Sequence, residues 1–457
     1  MKKKSVFGSV DLLNGPILPA LVMFMVPIFI SYLFQQLYNA VDTALVGNIL
    51  GTSSLAAVGS CASVFEFMVG FMMSLGSGFA IVVARAFGSG DEVRMKRAVA
   101  ISIVIGLLTT LVFTVFSIFG LRPLLILIDT PAEILDEAMS YIQIIGLGVI
   151  VMFLYNYASG ILRSIGNSVM PLVFLVFSSL LNIFLDYAFM TWFHMGVAGA
   201  SFATVVSQGV SAVGCIIYIL KKEKRLVPST KDFVFDKELT KDLAGQGYAM
   251  AFMGSIVSIG SIILQSGING LGTEIIAGHV AARKAYAIMN LPFMAMSMAI
   301  STFVPQNKGS GQGKRILSAM KIAFIFDVVT AVVISIIMWF IAPWLISLIS
   351  GSDSAVILNN GSRFLRVVAP FYAVLGILLQ TRFALQGIGS KMLPLVSSVI
   401  ECVGKIIFTF FLIPLFHYEA VIWCEPIIWC LMLIELLISF ECNSYIKDVK
   451  KQMKLKV

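Results

Sequence analysis

Residues 16–47 read PILPALVMFMVPIFISYLFQQLYNAVDTALVG. The run is long and apolar enough to cross a bilayer, for which about 20 such residues suffice. It also carries Gln35, Tyr38, Asn39 and Asp42, at i, i+3, i+4 and i+7. On a helix that spacing makes one polar stripe on an otherwise apolar cylinder. Polar atoms facing lipid are costly, so the stripe is expected to face protein or a cavity, and a carboxylate held there is a functional candidate.

The rest of the chain repeats the pattern of that stretch. Of 457 residues, 59% are hydrophobic and 12% charged, against roughly 25% charged in soluble domains. This composition is that of a polytopic, all-α integral membrane protein. Twelve apolar runs bounded by charges, glycines and prolines lie near 16–40, 54–79, 98–120, 134–159, 169–190, 196–220, 244–268, 275–300, 317–341, 355–381, 392–414 and 419–445. Threading the chain alternately across the membrane puts 26 of the 32 Lys and Arg on one side, from Lys2–Lys4 and the Arg85–Arg97 loop to the Lys-rich tail. The positive-inside rule then places both termini in the cytoplasm of a cell-membrane protein. The net charge of +8 is accounted for by this asymmetry, and nucleic acid is not an expected partner. The first apolar run is too long for a cleavable signal peptide and lacks a small-residue cleavage site. The six cysteines sit mostly inside apolar runs with no CxxC spacing, which reads as packing and not as disulfides or metal ligands.

The chain reads as two halves. The polar segment 221–243 separates residues 1–220 from 244–445, each with six runs, and a basic tail follows at 446–457. Leu50-Gly51-Thr52 recurs 221 residues on as Leu271-Gly272-Thr273, and Gly88-Ser89-Gly90 recurs at the same offset as Gly309-Ser310-Gly311. Ile165-Gly166 with Pro171, and Phe193-His194, recur 223 residues on. Four matches in order at nearly constant offset point to a duplication. An even number of spans per half gives both halves the same orientation, so the expected architecture is two pseudo-symmetric six-helix bundles around a central cavity. That plan favours a transporter over a structural membrane protein.

Two further polar stripes accompany the first. Ser178, Asn182 and Asp186 follow at i, i+4 and i+8, and Ser201, Thr204, Gln208 and Ser211 line one side of the next run. By depth, Asp42, Asn182, Asp186 and Thr204 are expected at one level in the outer part of the N-terminal bundle. Two carboxylates with amide and hydroxyl oxygens suit Na⁺ as a metal site. They equally suit a proton shared between crowded acids. The competing reading is that Asp42 and Asp186 mark only the interfacial ends of their helices. The second half argues against it, because the matching positions are Ile263, Lys405 and Thr409 for Asp42, Asn182 and Asp186. Glu401 and Lys405 are i, i+4 and read as a neutralising structural pair.

Other charges in the spans carry less. Glu66, Asp327, Glu425 and Glu435 have no partner visible in the sequence, and Arg283-Lys284 sits in the eighth run; each suits a gate, an ion pair or a snorkelling interfacial group, the last being the favoured reading. Met289–Met298, MNLPFMAMSM, is rich in adaptable side chains that suit an accommodating pocket as well as plain packing. No Walker A motif, nucleophile elbow or Cys/His metal cluster is present, so neither an ATP-driven pump nor an enzyme is expected.

With those residues quoted, the chain resembles the multidrug and toxic compound extrusion (MATE) family, in its prokaryotic, DinF-like branch. The resemblance rests on Val41-Asp42-Thr43 with Gly47, Gly88-Ser89-Gly90 followed by basic residues, and Ile165-Gly166-Asn167 to Pro171. It rests also on Leu181-Asn182-Ile183 with Leu185-Asp186, and on Val304-Pro305-Gln306-Asn307 with Gly309-Ser310-Gly311. It implies alternating access driven by H⁺ or Na⁺, export of small organic cations or drugs, no cofactor, and a monomer in membrane lipid. The family's N-lobe cation site falls on Asp42, Asn182, Asp186 and Thr204. Gln35, Tyr38, Asn39, Tyr141 and Asn156, with Met294 and Met298 of the Met-rich run, are the expected substrate-lining positions. The alternative is a flippase for a lipid-linked precursor, which calls for a cationic cavity and usually for extra helices.

Overall fold

The computed structural model describes residues 8–455. Lys2–Lys4 and Lys456 of the charge tally, and the ends of the segments expected at 1–220 and 446–457, lie outside the described residues. Among the described residues, eleven helices are long and apolar enough to cross a membrane, and a twelfth span is a pair of helices bent by 46°. In order they are α1 (Ile17–Leu50), α2 (Ala62–Ser89), α3 (Glu92–Phe119), α4 (Ala132–Leu147 with Val149–Ser164), α5 (Val169–Trp192) and α6 (Val197–Lys222). There follow α7 (Lys237–Asn269), α8 (Thr273–Gly309), α9 (Gly313–Ser350), α10 (Ala355–Gly387), α11 (Met392–Phe416) and α12 (Tyr418–Cys442). Among the described residues there is no β-strand.

Ten of the expected spans coincide with one membrane-crossing helix each, whereas 54–79 begins in a separate short helix, Thr52–Ser60, ahead of α2, and 134–159 covers the bent pair of α4. α1 continues to Leu50, α7 starts at Lys237 and α9 runs to Ser350. Apolarity stops where a span meets the headgroup region. The helix does not stop there: α9 continues even through Pro343, since a span's hydropathy limit does not itself end the backbone hydrogen-bond ladder. α1 also passes through Pro27 unbroken, and Ser31 Oγ donates back to the Pro27 carbonyl at 2.8 Å. α4 bends at Gly148, where a Cβ would come within 2.4 Å of Val205 Cγ2 on α6.

By packing, the described chain forms two units. One contains the residues up to Leu13 together with Val26–Ser255, and the other contains Asn14–Met25 together with Ile256 onward. The chain therefore changes unit after Leu13, again inside α1 and again inside α7, not in the polar segment. That segment is tied to the first unit: Leu226, Leu239 and Leu243 join a buried cluster with Phe79, Val83 and Ala98. Ser229 and Asp232 form a capping box around one short turn, and Arg85 on α2 pairs with Asp242 on α7 at 3.0 Å.

The duplication is visible in the backbone. Left-handed positions recur in pairs: Gly51 and Gly272 (φ 91° and 101°), Gly90 and Gly311 (73° and 72°), and Gly166 and Gly389 (88° and 92°). His194 and His417 follow the same rule at φ 50° and 49°, although a histidine rarely adopts it. One pair went unseen in the sequence, because Asp129 (φ 57°) stands where the second half has Gly351. Each half also carries a π-helical turn, Ala188–Trp192 and Phe408–Leu412.

Candidate functional site

Within the first unit, α1, α5 and α6 turn their polar stripes toward one another. Asp186 is fully buried and Asn182 nearly so, Thr204 is buried, and Asp42 is half-buried. The Asp42 and Asp186 carboxyl groups meet. The Tyr38 phenol lies beside both, within reach of Gln35 and Gln208. Asp42 Oδ1, both Asp186 oxygens, both polar atoms of the Asn182 amide and Gln208 Oε1 find no hydrogen-bond partner in the protein. Two ionised carboxylates offer only acceptors, so bringing them together requires a proton on one or a cation between them.

Gln35, Tyr38, Asn182, Thr204 and Gln208 line a pocket with Tyr155 and the serines 178, 179 and 207. The space open to the centre of a water there is about 10 Å³, room for one water or one bare ion and far too little for a drug. The serines bias its chemistry. Ser178 and Ser179 donate to the Leu175 carbonyl at 3.1 and 2.8 Å, and Ser207 donates to the Thr204 carbonyl at 3.1 Å. With each hydroxyl proton committed to the helix, the lone pairs remain. The wall offers hydroxyl and amide oxygens that fit H⁺ or Na⁺, with amide N–H groups among them; neither Asp42 nor Asp186 lines it, and Asp186 stands one helical turn from Asn182.

The other expected positions are placed differently. Asn39 is exposed, and its carbonyl accepts from Thr43 Oγ1 at 2.9 Å. Tyr141 is buried in the apolar cluster of the first unit with Cys61 and Met68, in electrostatic reach of Asp42 and Asp186. Asn156 Nδ2 donates to the Met152 carbonyl at 2.8 Å. Met294 and Met298 belong to the second unit, where the Met298 sulfur accepts from Ser301 Oγ at 3.4 Å. Tyr155, Ser179 and Ser207 join the pocket without having been singled out. Tyrosine and serine are common on packed faces of membrane helices, so only the facing stripe on α1 marks them.

The second unit is built otherwise at the matching level. Lys405 holds Glu401 at 2.9 Å and donates to Ser261 Oγ at 2.9 Å. Thr409 Oγ1 donates to the Ile263 carbonyl at 3.4 Å, a neutral contact at the positions that match Asp186 and Asp42. Snorkelling is corrected for Arg283 and Glu425, which pair at 2.7 Å between α8 and α12, and for Asp327, which is fully buried against Gln380. Partners 142 and 53 residues apart leave no local spacing to read.

Comparison with known proteins bears on the whole chain. It is 27% identical over 378 residues, 83% of both chains, to the probable multidrug resistance protein YpnP of Bacillus subtilis. It is 25% identical over 389 residues, 84% of both, to YoeA of the same organism, also described as a probable multidrug resistance protein. Its fold matches the outward-facing conformation of a multidrug resistance MATE family transporter of the MOP superfamily, with a TM-score of 0.86 and 23% identity over 98% of this chain and 100% of that one. The sequence model of the MatE family matches residues 27–188 and 249–411, one segment in each half. The chain belongs to the MatE family and is a multi-pass membrane transporter, not an enzyme.

Proposed function

We propose that this protein is a cation-coupled antiporter, driven by H⁺ or Na⁺, that exports amphipathic and often cationic organic compounds by alternating access. The observation that carries the reading is the meeting of Asp42 and Asp186 without a donor between them, one helical turn from Asn182, which lines a pocket the size of one ion. The relatives' multidrug names support the substrate class. The reading places both termini in the cytoplasm and the working form, a monomer, in the cell membrane.

Asp42 and Asp186, with the Asn182 and Thr204 oxygens, would hold the cation, which supplies neutralising charge. Neutral, the site loses its attraction for a cationic drug; once the cation leaves on the cytoplasmic side, the negative charge returns. Drug and cation then disfavour one another, and linkage makes that antagonism reciprocal. Pro27 lies next to the point where α1 passes from one unit to the other, a suitable place for the helix to rearrange.

The test is ethidium efflux from energised vesicles, with wild type beside Asp42→Asn and Asp186→Asn under separately imposed Na⁺ and pH gradients. Loss of efflux in both variants, with dependence on one gradient, supports the reading and names the ion. Wild-type efflux indifferent to both gradients, or variants that pump normally, overturns it in favour of a flippase.

A further inference from the structure

The second unit holds a buried acid that the cation mechanism does not use. Asp327 on α9 and Gln380 on α10 are both fully buried. Gln380 Nε2 donates to Asp327 Oδ1 at 3.3 Å, while Asp327 Oδ2 and Gln380 Oε1 have no partner. No charged side chain among the described residues acts on the Asp327 carboxyl group. The two atoms left over are both acceptors, and one proton would join them. We infer that Asp327 is a proton-binding site, a carboxylic acid whose O–H on Oδ2 donates to Gln380 Oε1 and closes a ring of two hydrogen bonds. Ionised, the same pair would set two lone-pair acceptors against each other around an uncompensated charge inside the membrane, which is strongly unfavourable.

Packing alone does not call for an acid here. At the offsets that relate the halves, Asp327 and Gly376 stand where the first half has Gly106 and Phe153. There the Phe153 ring lies directly on Gly106, with Cζ 1.9 Å from where a Cβ would sit. In the second half the glycine has moved to α10, and a Cβ on Gly376 would be 2.6 Å from the Asp327 Cγ. Where the first half sets an aromatic ring on the glycine, the second sets the Asp327 carboxyl group there, with Phe293 Cδ1 2.8 Å from the same Cβ position. The proton is enclosed by that contact, so its release requires α9 and α10 to part and admit water. Proton occupancy and closure of this contact are thereby linked: the closed form is favoured while Asp327 holds its proton and weakens as pH rises.

This inference concerns the second unit and does not rest on the cation reading of the first. It is tested on the full-length protein in lipid nanodiscs by infrared spectroscopy, in an Asp42→Asn/Asp186→Asn background that removes the other candidate acids. A carbonyl band of a protonated, water-shielded carboxylic acid is expected, and adding Asp327→Asn should abolish it. Gln380→Leu keeps the acid and breaks the ring, so the band should persist at a shifted frequency. Asp327→Asn keeps the ring through its own amide, so protection from hydrogen exchange across 320–332 and 372–384, taken relative to the intrinsic rate at each pH, should lose the pH dependence seen in wild type. A band untouched by Asp327→Asn shows an ionised aspartate and overturns the inference. So does a band that Gln380→Leu leaves unmoved, or an equal pH dependence of exchange with and without Asp327.

Discussion

At Asp186 the fold leaves both carboxyl oxygens buried without a donor, beside a second acid and one helical turn from the Asn182 that lines the small pocket. If one cation satisfies that arrangement, changing Asp186 to Asn should uncouple cation from drug. Couplings of this kind run to about 5–150-fold in affinity, so drug binding in Asp186→Asn should lose a cation dependence of that order, measured by fluorescence titration with and without Na⁺ and at two pH values. A variant that keeps the full dependence would remove Asp186 from the coupling site. The opposite charge arrangement at Lys405 predicts a different outcome. Glu401→Gln strands a buried ammonium and should cost about 3–5 kcal/mol, whereas Glu401→Leu with Lys405→Met should come near neutral. Thermal unfolding in detergent would check both. Glu401 and Lys405 were legible as a pair because they sit one turn apart on a single helix. Asp327 and Gln380 were not, since only the packing of α9 on α10 brings them together.

Among the elements, α2 shows how closely the first unit is packed, and where. A Cβ on Gly78 would stand 2.6 Å from Gly247 Cα and 2.7 Å from the Gln246 carbonyl oxygen. The backbones of α2 and α7 touch there with no side chain between them, the close approach that small residues permit in membranes. Gly70, two turns earlier on the same helix, faces open space. Gly78→Ala should therefore destabilise by about 1–3 kcal/mol or more, since neither backbone can yield. Gly70→Ala should be neutral or stabilise by about 0.5–1 kcal/mol through helix propensity. Unfolding midpoints of the two single variants in one detergent would decide it; equal losses would show that the α2–α7 approach is not rigid. Hydropathy located all twelve spans because lipid imposes the same demand on each. It could not locate the α2–α7 contact, nor the Gly148 bend in α4, because a glycine in a membrane helix reads the same whether its face meets a neighbouring backbone or nothing.

For the whole molecule, the two halves keep the same backbone turns while their buried chemistry diverges. The left-handed positions and π-turns recur from half to half, but the two facing acids occur in the first unit and the Lys405–Glu401 pair with the Asp327–Gln380 contact in the second. Duplicated geometry with unlike chemistry predicts that the two units answer different stimuli. Binding of a cation to the first unit stabilises the form that holds it by RT ln(1 + [L]/Kd), about 2.7 kcal/mol at 100 times Kd. Where Na⁺ is the coupling cation, hydrogen exchange at fixed pH should therefore slow on adding Na⁺ along 35–46, 178–190 and 200–210, with Asp186→Asn cancelling the effect. The α9–α10 contact should respond to pH alone, and Asp327→Asn should silence it without touching the first unit's response. One set of exchange maps on three proteins separates these cases. A cation effect spread evenly over both units, or one that Asp327→Asn removes from the first, would mean that the halves act as one site despite their different residues.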